Sequence, residues 1–225
     1  MKFVKRLLTL LLAVAVLAAG YVVYGGYKMY KEVTDAVPVA EKVEEIRSQD
    51  HYTEYGELSD TYINAVIAGE DRRFRKHGGF DIISTGRALL HNKKAGELEQ
   101  GGSTITQQLA RNMYFEQNKK LTRKVAEVLV AFEIEKEYDK DEILELYVNT
   151  IYFGSGYYNI YDASLGYFGK TPSQLSDYEA TMLAGIPNAP SVYDLNVNPD
   201  LAEQRRQQVV DCMVDEGYIE EGEIA

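Results

Sequence analysis

Cysteine is almost missing from this chain: Cys212 is the only one among 225 residues. That excludes a disulfide framework within the chain. With only three histidines (His51, His77, His91) beside it, the ligands of a usual Cys/His zinc site are lacking too. Tryptophan is absent, although 18 tyrosines still supply amphipathic aromatic faces. Positive charge is scarce: 24 Lys and Arg stand against 35 Asp and Glu, a net charge of −11 and a pI near 4.8. A general nucleic-acid binder presents a strong basic field to phosphates, so nucleic acid is not an expected partner. Strand-type alternation is scarce, and no internal repeat or low-complexity tract stands out. The Gly-x-x-x-x-Gly-Lys pattern of a nucleotide-binding loop is absent as well.

The chain does have one long apolar run. Residues 7–27 carry no formal charge, and as a helix at about 1.5 Å per residue they span roughly 30 Å, the hydrocarbon thickness of a bilayer. Lys2, Lys5 and Arg6 precede the run, and Tyr21, Tyr24 and Tyr27 close it like an interfacial aromatic belt. Positive-inside logic then divides the chain. Residues 1–6 are cytoplasmic, 7–27 are a single-pass signal anchor, and everything after lies outside. A cleaved signal peptide ending near Ala18-Ala19-Gly20 is the alternative; the continuation of the apolar run past those residues favours the anchor. Without the three N-terminal cations the remainder holds 21 basic and 35 acidic residues, a net −14. Any site for an anion must therefore be a local concentration of Lys and Arg.

Residues 28–50 alternate in charge and contain Pro38, and they read as a stalk before a domain at 51–225. Within that domain helical signals dominate. Ser59 is a plausible N-cap for a helix carrying Ile63, Val66, Ile67, Glu70 and Phe74 on one stripe. Residues 91–102 have no apolar period and read as a loop, followed by a helix over 104–114. A helix from near Thr122 is apolar nearly all round, from Val125 to Ile134, and is expected to be buried. Asp139 with Glu142 and Ser176 with Glu179 make capping boxes, and Asn198-Pro199 opens a last helix ending at Gly217. The fold class is mainly α.

Two glutamates stand out. Glu70 shares its stripe with apolar residues, so its carboxylate must be paired, protonated or lining a cleft. The arginines just after it offer partners, so a buried Glu–Arg pair and a catalytic role are both open. Glu127 is the only charged residue between Lys124 and Glu133, within helical reach of Arg123 and Lys124. Taken alone it reads as an ion pair at a helix start. Residues 111–124 hold Arg111, Lys119, Lys120, Arg123 and Lys124 against one acid, Glu116, a run of +4 in an acidic domain. Such a run usually marks a solvated face. Here it follows Gly101-Gly102-Ser103-Thr104, a turn whose hydroxyls and amides can present donors to an anion where a helix opens. The combination points to a phosphate-bearing ligand.

Five ordered motifs then carry a resemblance. They are Glu70-Asp71-x-x-Phe74-x-x-His77-x-Gly79, Gly101-Gly102-Ser103-Thr104-Ile105-Thr106-Gln107-Gln108, Arg123-Lys124-x-x-Glu127, Lys140-Asp141-Glu142-Ile143-Leu144-Glu145-x-Tyr147-x-Asn149, and Ala184-Gly185-Ile186-Pro187-Asn188-Ala189-Pro190-Ser191. Together they resemble the peptidoglycan glycosyltransferases of glycosyltransferase family 51, over residues 50–217. With no room after the last motif for a penicillin-binding transpeptidase domain, the chain resembles the monofunctional form. The resemblance implies a lysozyme-like helical head with a small membrane-associated jaw. It also implies polymerisation of lipid II into β-1,4 glycan strands, with inversion and release of undecaprenyl pyrophosphate, at the bacterial cell membrane.

Carried across, Glu70 is the general base and Glu127 the second glutamate, assisting the leaving pyrophosphate directly or through a divalent cation (Mg or Mn). No tightly bound cofactor is implied, and no metal ligands are assigned. Arg87, Ser103, Thr104, Gln107, Gln108, Arg111, Lys119, Arg123 and Lys124 fall on pyrophosphate- and sugar-binding positions. The implied partners are lipid II, the nascent glycan strand, the membrane, and other cell-wall synthesis proteins. Ala126, Asn159 and Leu195 depart from residues common in the family. The jaw is expected between residues 82 and 115, with Ile82, Ile83, Leu89, Leu90, Ile105, Leu109, Met113, Tyr114 and Phe115 as apolar candidates. A muramidase-type hydrolase and a non-enzymatic membrane-anchored scaffold are the rival readings. Two carboxylates in a lysozyme-like cleft would suit hydrolysis, whereas the basic run and the anchor favour the polymerase.

Overall fold

The structure is a computed structural model, and it describes residues 2–87, 102–116 and 120–224. It is mainly α, as the sequence implies, and no strand occurs among the described residues. The first helix, α1 (Lys2–Ala36), runs unbroken through the apolar segment; it is the one described helix long and apolar enough to cross a membrane. After Pro38 comes α2 (Val39–Arg47). Here the structure departs from a free stalk over 28–50. Val39, Val43 and Ile46 are buried in the domain core, because charge alternation in this segment hides an apolar i, i+4, i+7 stripe.

The domain proper is built from α3 (Asp60–Glu70), α4 (Ile105–Tyr114), α5 (Leu121–Glu137), α6 (Lys140–Val148), α7 (Ile160–Phe168), α8 (Asp177–Gly185) and α9 (Pro199–Asp215). Their ends follow local chemistry. Ser59 accepts the Tyr62 amide at the start of α3, Thr104 caps α4, and both expected capping boxes form at α6 and α8. One packing group joins α3, α8 and α9, and a second joins α4, α5 and α6. Phe74, Ile105, Leu109, Ala131, Ile134 and Tyr147 are completely buried between them.

The groups meet where α3 ends and α4 begins, and that meeting is fastened. Asp71 accepts the Ile105 amide (3.1 Å) and the His77 Nε2–H (2.9 Å), while Thr104 donates to the Gly79 carbonyl (2.9 Å). Gly79 takes φ of +56°, and a Cβ there would stand 3.1 Å from the α5 backbone, so both its conformation and its space require glycine.

Two expectations are corrected. Helix α5 is not buried all round: Ala126, Glu127, Val130, Ala131 and Ile134 face the core, while Leu121 and Phe132 are exposed. On its outer side Val125, Val128 and Leu129 line an apolar surface groove with Val22 and Phe80. The all-round apolarity serves two neighbours, the core and α1, which packs along α5. The jaw candidates also divide. Ile105, Leu109 and Met113 belong to the core and Tyr114 and Phe115 pack against it, whereas Ile82 and Ile83 are 75% and 54% exposed. Leu89 and Leu90 lie outside the described residues.

Candidate active site

Glu70 is the last residue of α3, placed by the helix so that its carboxylate leaves the core stripe at the edge of a cleft of about 380 Å³. The side chain is 7% exposed. One oxygen, Oε2, accepts from Gln108 Nε2 at 3.0 Å, and Gln108 Oε1 in turn accepts from the Tyr147 hydroxyl at 3.4 Å. The other, Oε1, accepts no hydrogen bond among the described residues and has the Arg205 guanidinium 3.7 Å away. Burial raises the Glu70 pKa above the ordinary carboxylate value, while Gln108, Arg205 and Arg111 oppose the shift. A buried carboxylate at the edge of a cleft, with an oxygen that accepts no hydrogen bond, can take a proton from a bound hydroxyl.

The arginines that follow Glu70 are not its partners. Arg72 reaches Asp215, Glu216 and the Cys212 thiol; Arg73 pairs with Asp81 (2.9 Å) and Arg75 with Asp141 (2.8 Å). The cation comes instead from α9. The Arg205 side chain is 13% exposed, and its stem lies over Gly185, where a Cβ would stand 3.0 Å from Arg205 Cγ. Sequence reading missed Arg205. The available signal was its place beside the buried α9 stripe of Ala202, Arg206, Val209 and Met213.

Helix α4 supplies the opposite wall. Gln108 and Arg111, one turn apart, line the cleft together with Arg87, Ser103 and Thr104. Gln107 does not join them: it is 1% exposed and does not line the cleft. Thr104 lines the cleft, but its hydroxyl is already engaged, donating to Gly79 and accepting from the Gln107 amide. Lys119 lies outside the described residues.

Glu127 stands on the first turns of α5 and is 1% exposed. Arg123 pairs with one carboxylate oxygen, and Lys124 Nζ lies 3.2 Å from the other. Lys124 also donates to Ser103 Oγ at 2.7 Å, tying the Glu127 cluster to the rim of the Glu70 cleft. Burial, with Arg111 and Arg123 nearby, pushes the Lys124 pKa down to about 8. The two carboxylates therefore have opposite surroundings. Glu70 sits in a desolvated wall, and Glu127 is held between cations.

This arrangement fits a divalent cation poorly. Both Glu127 oxygens already face cationic side chains, and Arg111 adds to that field. The one described cluster with metal-type ligands, Asp71, His77 and Asp81, spends its oxygens on protein donors: His77, Ile105, Ile83, Ser84 and Arg73. The cleft suits an anion instead, with a buried carboxylate facing a wall lined by Arg87 and Arg111.

Comparison with known proteins gives the family. Residues 38–214 match the model of the transglycosylase family. Penicillin-binding protein 1A of Aquifex aeolicus is 45% identical over 168 residues, covering 75% of this chain and 23% of that protein. The protein of the same name from Neisseria gonorrhoeae is 44% identical over the same share of this chain and 21% of its own. This chain thus spans less than a quarter of those relatives. A protein of Cupriavidus necator that carries a transglycosylase name is 40% identical over 221 residues, 98% of this chain and 92% of its own length.

Proposed function

The chain belongs to the transglycosylase family, and on that premise we propose that it is a peptidoglycan glycosyltransferase that polymerises lipid II into β-1,4-linked glycan strands. The observation that carries this reading is the Glu70 carboxylate: buried at the edge of a cleft, with one oxygen that accepts no hydrogen bond among the described residues, and with Arg87 and Arg111 lining the same cleft.

Glu70 Oε1 takes the proton of the acceptor sugar's 4-hydroxyl. The freed oxygen attacks the anomeric carbon of the donor from the face opposite its pyrophosphate. The new C–O bond forms as the bond to the pyrophosphate oxygen breaks, so an α-linked donor gives a β-linked product and undecaprenyl pyrophosphate departs. Arg111, Arg123 and Lys124 meet the charge that develops on the leaving group. Glu127 holds the last two in place, and Arg87 and Gln108 position the sugars and phosphates. Two carboxylates whose surroundings differ this much are suited to separate roles. No step is routed through a metal.

Helix α1 would hold the catalytic domain on the outer face of the bacterial membrane, where both tethered substrates are concentrated. Confinement of this kind raises encounter without adding any contact at the site.

The test is incubation of the purified full chain in detergent with labelled lipid II, followed by gel separation of products. Long strands are the expected result. Strand shortening of preformed glycan, with lipid II left unconsumed, would establish the hydrolase instead. Neither activity would leave a scaffold.

A further inference from the structure

We propose that Gly26 is a positioning residue: it seats the anchor helix against the turn of α5 that carries Arg123, Lys124 and Glu127, and thereby sets where those groups stand. The seating is structural; its effect on rate rests on the glycosyltransferase reading given above.

Most of α1 is exposed, but Gly26 is buried. A Cβ at Gly26 would lie 2.5 Å from Val125 Cβ and 2.8 Å from the Thr122 carbonyl oxygen. Neither neighbour is the loose end of a flexible side chain, so any larger residue must push the two helices apart. Gly25 makes a milder approach, its Cβ position 3.0 Å from Thr122 Cγ2, and Gly20 has nothing within 4 Å. Close approach of helix backbones at small residues is how helices associate where apolar surface is plentiful.

Thr122 and Val125 bracket Arg123 and Lys124 on α5, and Glu127 follows half a turn later. Two hydrogen bonds hold the C-terminal end of α1 and the residue that follows it to the same two helices. Tyr30 donates to Glu133 on α5 at 2.7 Å, and Tyr114 at the end of α4 donates to the Val37 carbonyl at 2.8 Å. The anchor is thus fastened to both helices that bear the site's cations. Lys124 reaches from α5 to Ser103 across the helix boundary, and that contact depends on the depth and rotation of α5. Displacement by about 1 Å at such a site can cost about a hundredfold in rate.

The experiment uses the full chain in lipid nanodiscs and compares Gly26→Val with Gly20→Val, which makes the same change where there is space. Amide exchange over residues 121–127 and the kcat and KM for lipid II are measured for each. Gly26→Val is expected to raise exchange about tenfold and lower kcat about tenfold, with KM moved less. Gly20→Val should match wild type in both. Tyr30→Phe, which removes one hydrogen bond without adding bulk, should shift both in the same direction by about threefold, and it decides the matter if Gly26→Val does not fold. Wild-type behaviour in Gly26→Val or, failing that, in Tyr30→Phe overturns the proposal. So does an equal loss in Gly26→Val and Gly20→Val. If wild-type protein does not polymerise lipid II, the functional reading fails while the exchange measurement still judges the seating.

Discussion

Replacing Arg205 by Gln removes the cation that faces the free oxygen of Glu70 and keeps a polar side chain of similar reach. The guanidinium stands 3.7 Å from Oε1, with only 13% and 7% of the two side chains exposed. At that separation the attraction is worth about 1 kcal/mol in water-like surroundings and about 4 kcal/mol at an effective dielectric of ~20. Its loss therefore raises the Glu70 pKa further above the ordinary carboxylate value, while Gln108 and Arg111 continue to oppose the rise. The sign follows from the base role. Glu70 works ionised, Arg205 favours the ionised form, and its loss moves the acid limb of kcat/KM to higher pH. Initial rates of lipid II consumption between pH 4.5 and 9 measure it. Well below the new limb the variant should be about ten- to a hundredfold slower, recovering toward wild type above it. An unmoved acid limb refutes the reasoning. So does a loss of equal size at every pH, which would place Arg205 on substrate or in the scaffold instead.

Glu70→Gln should fold with an unchanged thermal transition and lose about 10²–10⁴ in polymerisation rate; a folded variant with normal turnover removes Glu70 from the role of base. The wild-type kcat/KM profile should fall at low pH as Glu70 protonates and again above about pH 8 as Lys124 loses its charge. Lys124→Met should be slow throughout and lose that alkaline limb, and a limb that survives belongs to another group. Met113→Asp should destabilise the fold by more than ~3 kcal/mol, since Met113 lies in the core, whereas Ile82→Asp with Ile83→Asp should leave the melt unchanged and weaken vesicle binding of a chain lacking residues 1–32. Co-sedimentation and a denaturant melt separate these two outcomes.

The parts of this fold that were legible beforehand are those decided within a few residues. Ser59, Asp139 with Glu142, and Ser176 with Glu179 all cap helices at i to i+3 spacing, where sequence neighbours are spatial neighbours. Glu70 was legible because a carboxylate on an apolar stripe conflicts with burial, and the conflict marks the site. What could not be read depended on distant packing. Arg205 meets Glu70 across 135 positions, and no local pattern announces which of the many arginines does so. The nearer Arg72, Arg73 and Arg75 were better candidates by spacing and turn out to be engaged by Asp215, Asp81 and Asp141. Helix α5 shows a further limit of periodicity. An all-round apolar helix signals two apolar neighbours without saying that the second is the anchor.

The surroundings of Lys124 also give it a chemical personality that few protein amines have. With its pKa pushed down to about 8 by burial and by Arg111 and Arg123, more of this amine is neutral and nucleophilic near neutral pH than in an ordinary lysine. The group proposed to meet the leaving pyrophosphate is therefore also one an electrophile should find early. An activated ester or sulfonyl fluoride small enough to enter the cleft should acylate Lys124 ahead of the other lysines, with peptide mapping as the readout. Modification spread evenly over the lysines would show that the amine is ordinary. Acylation would cancel the charge opposite Glu127 and leave that carboxylate with Arg123 alone. Crowding cations around one carboxylate thus makes the cluster open to covalent capture.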